Sequence, residues 1–128
     1  MPQVDLISAN FVVADPATVA AAVHDEGLWA DLWPRLDLTV GQDRGVKGIR
    51  WTCSGPLVGS CEVWLEAYGD GVIVHCYLRA ERVSRREGRR RQRQVNRVLF
   101  ALKDSLEGGR PAGTGRSSAG DDLPIPQR

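Results

Sequence analysis

Three sets of side chains in this chain could do chemistry. The first centres on His75. It alternates with Val74 and Cys76 in a strand-like run, and hairpin pairing sets it beside Glu62, Trp64 and Tyr77. A carboxylate, an imidazole and a phenol on one sheet face can relay protons, so His75 with Glu62 or Tyr77 is the candidate acid–base set. The same residues also suit a polar cross-strand ladder on an exposed face, or a contact between two copies. The second set is Cys53, Cys61 and Cys76. A thiol attacks only as its thiolate, and no basic neighbour stands in the pattern to favour that form. Their number is odd and their spacing is not that of a thiolate metal site, so they read as small core hydrophobes, with no metal and no cofactor expected. The third set is a run of eight arginines, Arg82, Arg85, Arg86, Arg89, Arg90, Arg91, Arg93 and Arg97. Such a run fits a solvated helix start, an anionic head group, or an anionic surface or partner. No aromatic residue interleaves it, so nucleic acid is not the expected partner. His24, late in a helical segment, complements a helix C-terminus.

The arginine run belongs to a longer element. From Arg82 to Glu107 the pattern predicts one helix, apolar in its second half at Val95, Val98, Leu99, Leu102 and Leu106. Its net charge is local. Residues 1–81 hold 5 basic and 11 acidic side chains, whereas residues 82–128 hold 12 basic and 5 acidic, so a formal charge of +1 conceals two opposed halves. Gly88 weakens the cationic end of the helix.

A body must hold the apolar half. Residues 3–13 alternate and predict a strand. Asp15-Pro16 then starts a helix over 17–24, with Asp15 as its cap and Pro16 in its first turn. Gly27 is expected to end it, and residues 28–33 predict a second short helix closed by Pro34. Four strands come next, at 36–42, 46–54, 58–68 and 72–81, separated by Asp43-Arg44-Gly45, Gly55-Pro56 and Gly69-Asp70-Gly71. Facing Cys53 with Cys61, Trp51 with Val63, Ile49 with Leu65, Leu65 with Val74 and Cys61 with Leu78 puts Ile49, Trp51, Cys53, Cys61, Val63, Leu65, Val74, Cys76 and Leu78 on one face. Arg50, Thr52, Glu62, Trp64, Glu66, Ile73, His75, Tyr77 and Arg79 then lie on the other. A one-residue slip would mix the two sets, and an inverted register would turn the His75 set inward. Residues 108–128 are rich in Gly, Pro and Ser and read as a disordered tail after a single domain over 1–107. The hydrophobic content is 42%, ordinary for a globular chain. The start of the chain lacks a signal-peptide pattern, and no stretch approaches the roughly 20 apolar residues of a membrane span. A soluble cytoplasmic protein with reduced thiols is expected.

FVVADPATVAAAV (strand into Pro-started helix), LWADLWP with Trp29, Trp33 and Pro34, RGVKGIRW and CEVWLEAYGDGVIVHCYLRA occur in the order found in the START-like, or Bet v 1-like, superfamily. Within it the chain resembles the small actinobacterial proteins labelled polyketide cyclase/dehydrase, over about residues 4–107. The resemblance implies an α+β helix-grip fold: a curved antiparallel sheet wrapped around a long C-terminal helix, with two short helices after the first strand. It also implies a cavity for an apolar or amphipathic ligand, lipid or polyketide-like, between sheet and helix. Trp29, Trp33, Trp51, Val63, Val74, Cys76, Leu99 and Leu102 are the expected walls, and Arg89, Arg90 and Arg93 the candidates for a charged head group. Five strands, where six or seven are usual, imply a smaller or more open cavity, or a homodimer that covers the gap. A cyclase or dehydratase using His75 with Glu62 or Tyr77, and a module docking its arginine-rich helix on an anionic partner or membrane surface, are the alternatives.

Overall fold

The computed structural model describes residues 3–81 and 84–108; of the expected tail over 108–128, Gly108 closes the last helix and the rest, like the helix start at Arg82, lies outside the described residues. The elements are β1 (Gln3–Val12), α1 (Pro16–Val23), α2 (Glu26–Leu32), β2 (Asp37–Asp43), β3 (Gly48–Ser54), β4 (Val58–Tyr68), β5 (Gly71–Glu81) and α3 (Arg85–Gly108), with a short 3-10 turn, Gly45–Lys47, between β2 and β3. The expected order of elements is borne out.

Local chemistry accounts for the helix starts. Asp15 Oδ2 accepts the backbone N–H groups of Ala17 and Thr18 at 3.1 and 3.3 Å, and Pro16 opens α1. Asp25 does the same for α2, accepting from Leu28 N–H at 3.2 Å. That cap corrects one expectation. Gly27 does not separate the helices; it lies inside the first turn of α2, which begins at Glu26. The break falls at His24 and Asp25, because Asp25 takes an extended backbone to cap α2. Trp33 correspondingly closes α2 rather than belonging to it.

The sheet is antiparallel, in the order β1-β5-β4-β3-β2. The β4–β5 register is the expected one, with Cys61 opposite Leu78, Val63 opposite Cys76 and Leu65 opposite Val74. The β3–β4 register is corrected by two residues. Cys53 faces Gly59, Trp51 faces Cys61 and Ile49 faces Val63. The hydrophobic pattern cannot detect this shift, since a slip of two returns every side chain to its original face. The connection decides it. Leu57 turns inward and is buried, which shortens the hairpin loop. On its other side, β4 is drawn tightly against β5: a Cβ on Gly59 would stand 2.0 Å from the Arg79 carbonyl oxygen.

The inner face carries Ile49, Trp51, Cys53, Cys61, Val63, Leu65, Val74, Cys76 and Leu78, all buried. α1, α2 and α3 close over it, giving one core cluster that includes Val19, Val23, Leu32, Val95, Leu99 and Leu102. α3 runs alongside β1 in the same direction. Ser8 Oγ donates to Asn96 Oδ1 at 2.6 Å, Asn10 Nδ2 to the Leu99 carbonyl at 3.0 Å, and Lys103 Nζ to the Phe11 carbonyl at 2.7 Å. Glu107 ends the series, accepting from Val13 N–H at 2.8 Å and from Lys103 at 2.7 Å. Among the described residues no helix is long and apolar enough to cross a membrane.

Candidate functional site

The pairing register lays side chains across the inner face in rungs. One rung holds Leu6, Leu78, Cys61 and Trp51; the next, toward the start of β4, holds Ala80, Gly59 and Cys53. Over this end of the sheet come α2 and the first turns of α3.

Three tryptophans meet here. Trp51 is fully buried, and its ring makes edge contacts with Trp29 (centroids 5.2 Å apart, 69° between planes) and with Trp33 (6.4 Å, 68°). Such tilted pairs suit the charge distribution of aromatic rings. Trp29 Nε1–H donates to the Val23 carbonyl at 2.8 Å. The indole N–H groups of Trp33 and Trp51 are buried and have no partner. A buried tryptophan ordinarily finds an acceptor for its N–H, so two orphans on neighbouring rings stand out.

A third orphaned group lies on α3. Arg91 is 4% exposed, the one buried charged side chain among the described residues. Its Nε donates to Glu87 Oε2 at 3.0 Å, while Nη1 and Nη2 are buried with no partner. Its positive charge favours the thiolate forms of Cys53 and Cys61, which puts it at the same end of the core as the two rungs described above. Glu87 also accepts from Arg90 Nη2 at 2.6 Å, and these arginines hold its carboxyl below the usual carboxylate range against the opposing effect of burial.

The residues expected to form sites are distributed between the interior and two outer surfaces. Trp33, Trp51, Val63, Val74, Cys76, Leu99 and Leu102 are buried and Trp29 is half-buried, all in or against the one core between sheet and helices. They form a filled interior. Two surface hollows are shallow, about 180 Å³ beside Ser8, Asn10, Asn96 and Leu99, and about 200 Å³ beside Val58, Ser60 and Arg79. Arg89, Arg90 and Arg93 are on the outside of α3 and point away from the interior. The arginine that enters it, Arg91, was hidden among its neighbours.

The thiols are free and unreactive by environment. Burial pushes Cys53 up, drives Cys61 further with its neighbouring thiols, and lifts Cys76 to about 12. Arg91 opposes the rise at Cys53 and Cys61 without reversing it.

His75, Glu62 and Tyr77 share the outer face, away from this interior. The His75 ring stacks between Trp64 at 4.4 Å and Tyr77 at 6.2 Å, and its Nε2 meets Glu66 Oε1 at 3.0 Å. Glu62 is instead engaged by Arg44 at 2.8 Å and Arg50 at 3.2 Å. The histidine's carboxylate partner is thus Glu66, which sequence reasoning placed on the right face but not in the set.

No protein-family model matches the chain, and no curated protein matches it. Solved structures do match, at the level of fold. The chain is similar to the Aha1 protein from Colwellia psychrerythraea, solved as a dimer, at 15% identity and a TM-score of 0.69, covering 84% of this chain and 99% of that one. A protein from Deinococcus radiodurans superposes with a TM-score of 0.63 at 15% identity, covering 81% and 98%. Ara h 8.0201 does so with 0.54 at 12% identity, covering 83% and 99%.

Proposed function

We propose that this chain, with its helix-grip fold like that of the START-like, or Bet v 1-like, superfamily, binds a small amphipathic molecule between the sheet and α3, at the end where α2 meets the first turns of that helix. The observation that carries this reading is the pair of unpartnered indole N–H groups on Trp33 and Trp51. Leaving a buried donor without an acceptor costs about 1–3 kcal/mol per group. A ligand that brings an oxygen acceptor between these rings recovers that cost, and the surrounding aromatic and aliphatic walls take its apolar part. The interior is filled in the free protein, so binding requires α2 and α3 to part from the sheet and the side chains to repack. The reading concerns binding; His75, Glu62 and Tyr77 lie on the outer face of the sheet, away from this interior.

The test is native mass spectrometry of protein purified from cells, with Trp33→Phe and Trp51→Phe beside the unmodified chain. Phenylalanine keeps an aromatic ring and removes the N–H. A discrete added mass that both variants retain less well is expected. An added mass held equally by all three proteins would remove the indole donors from the site.

A further inference from the structure

We infer that Arg91 is the receptor for a carboxylate on the bound molecule. This rests on the ligand-binding reading above and narrows it to a chemical class: an apolar monoanion with a planar, two-oxygen head.

The guanidinium has five N–H donors in a rigid fork. One, on Nε, is used by Glu87. The four on Nη1 and Nη2 are buried and unpartnered, and among the described residues no carboxylate other than Glu87 lies within salt-bridge distance. Glu87 is shared between the exposed Arg90 and the buried Arg91, and it meets Arg91 through Nε alone, so the Nη face of the buried cation has no anion against it. A monoanionic head would fill that face.

A purely structural role fits poorly. Breaking up a buried fork is costly, and a hydrophobic residue of similar volume commonly serves a core position as well or better. The position itself is a core position: Arg91 stands one helical turn before Val95 and two before Leu99, on the buried stripe of α3. A role at an outer surface fits no better, because the group is almost fully covered while Arg89, Arg90 and Arg93 face outward. What remains is an acceptor that comes from outside. Two parallel N–H···O bonds to a carboxylate are the arrangement a guanidinium edge makes best.

The experiment titrates the full chain with octanoate and with octanamide, which share an alkyl chain and differ in the charge of the head. The indole N–H resonances of Trp33 and Trp51 report the site, and that of Trp64 on the outer face serves as an internal control. Octanoate is expected to bind roughly 10- to 100-fold more tightly than octanamide, moving the Trp33 and Trp51 signals and leaving Trp64 in place. Arg91→Met should remove the difference while still binding the amide. Arg91→Lys, which keeps the charge but loses the fork, should retain part of the difference and serves where the methionine variant does not fold. Equal affinity of the two probes for the unmodified chain would overturn the carboxylate assignment and leave the ligand-binding reading standing. An octanoate preference that survives both substitutions in full would remove Arg91 from it. No movement of Trp33 or Trp51 with either probe would overturn both.

Discussion

Arg91 lies on the stripe Val95, Leu99 and Leu102, at helical spacing from each, and that spacing was legible from the start. What concealed it was composition. Eight arginines in sixteen positions read as one solvated surface, and burial distinguishes one of them only after the helix phase is set by its apolar half. The unpartnered indoles were not legible at all, since orphaned donors are a property of packing. A second residue-scale contact gives a pH signature. His24 Nδ1 lies 2.7 Å from the Ala20 carbonyl and its Nε2 2.9 Å from Asp43 Oδ1. Burial works against its charge, but these two partners outweigh it and raise the pKa above the ordinary 6.5. Asp43 moves below 3.8, held first by the Gly45 N–H and then by His24. The histidine's contribution is therefore complete below pH 6.5 and is lost as pH rises through its raised value; the aspartate's is complete above 3.8 and is lost as pH falls through its lowered one. His24→Gln should lower the melting temperature most in the window between, with the gap to the unmodified chain closing as pH rises through the histidine's raised pKa. A gap that does not change with pH would show that the pair is not linked to folding.

The elements were readable because each is punctuated: Asp15-Pro16, Gly55-Pro56 and Gly69-Asp70 stand where the chain turns. Capping and register were harder. Asp25 and Gly27 both look like helix punctuation, and only the backbone shows that the aspartate begins α2 while the glycine rides in it. The β3–β4 pairing was wrong by two residues although every inward residue was right, because sidedness and register are separate quantities. Gly48 shows how tightly that pairing is drawn. It has φ +115°, and a Cβ there would stand 2.0 Å from the Val63 carbonyl oxygen on β4. Gly48→Ala should cost roughly 2–4 kcal/mol, read from urea unfolding at unchanged slope. A cost below about 0.5 kcal/mol, the scatter of neutral surface changes, would mean that β3 can move away from β4 freely.

For the molecule as a whole, the succession of strand, two helices, four strands and helix is the order of the helix-grip fold, and the resemblance carried by that order and its motifs led to the architecture, a sheet face and a helix stripe buried together. The interior was less accessible to reasoning: the residues expected to line a cavity fill it. Closure depends on α3 being fastened along β1, and among the described residues the last of those polar contacts is made by Glu107. The Gly-, Pro- and Ser-rich composition of the residues after Gly108 implies a tail, so a chain ending at Gly108 should melt within about 3 °C of the full one, measured by circular dichroism. A larger drop would place part of the folded body beyond that point. The two-residue freedom of the β3–β4 hairpin bears on how such chains diverge. Adding or deleting a pair of residues beside Gly55-Pro56 lengthens or shortens the hairpin and returns Trp51, Cys53 and Cys61 to the inside. A single insertion there would need a bulge to absorb it or would turn a strand inside out. Over descent, the lengths this hairpin can take are expected to differ by even numbers.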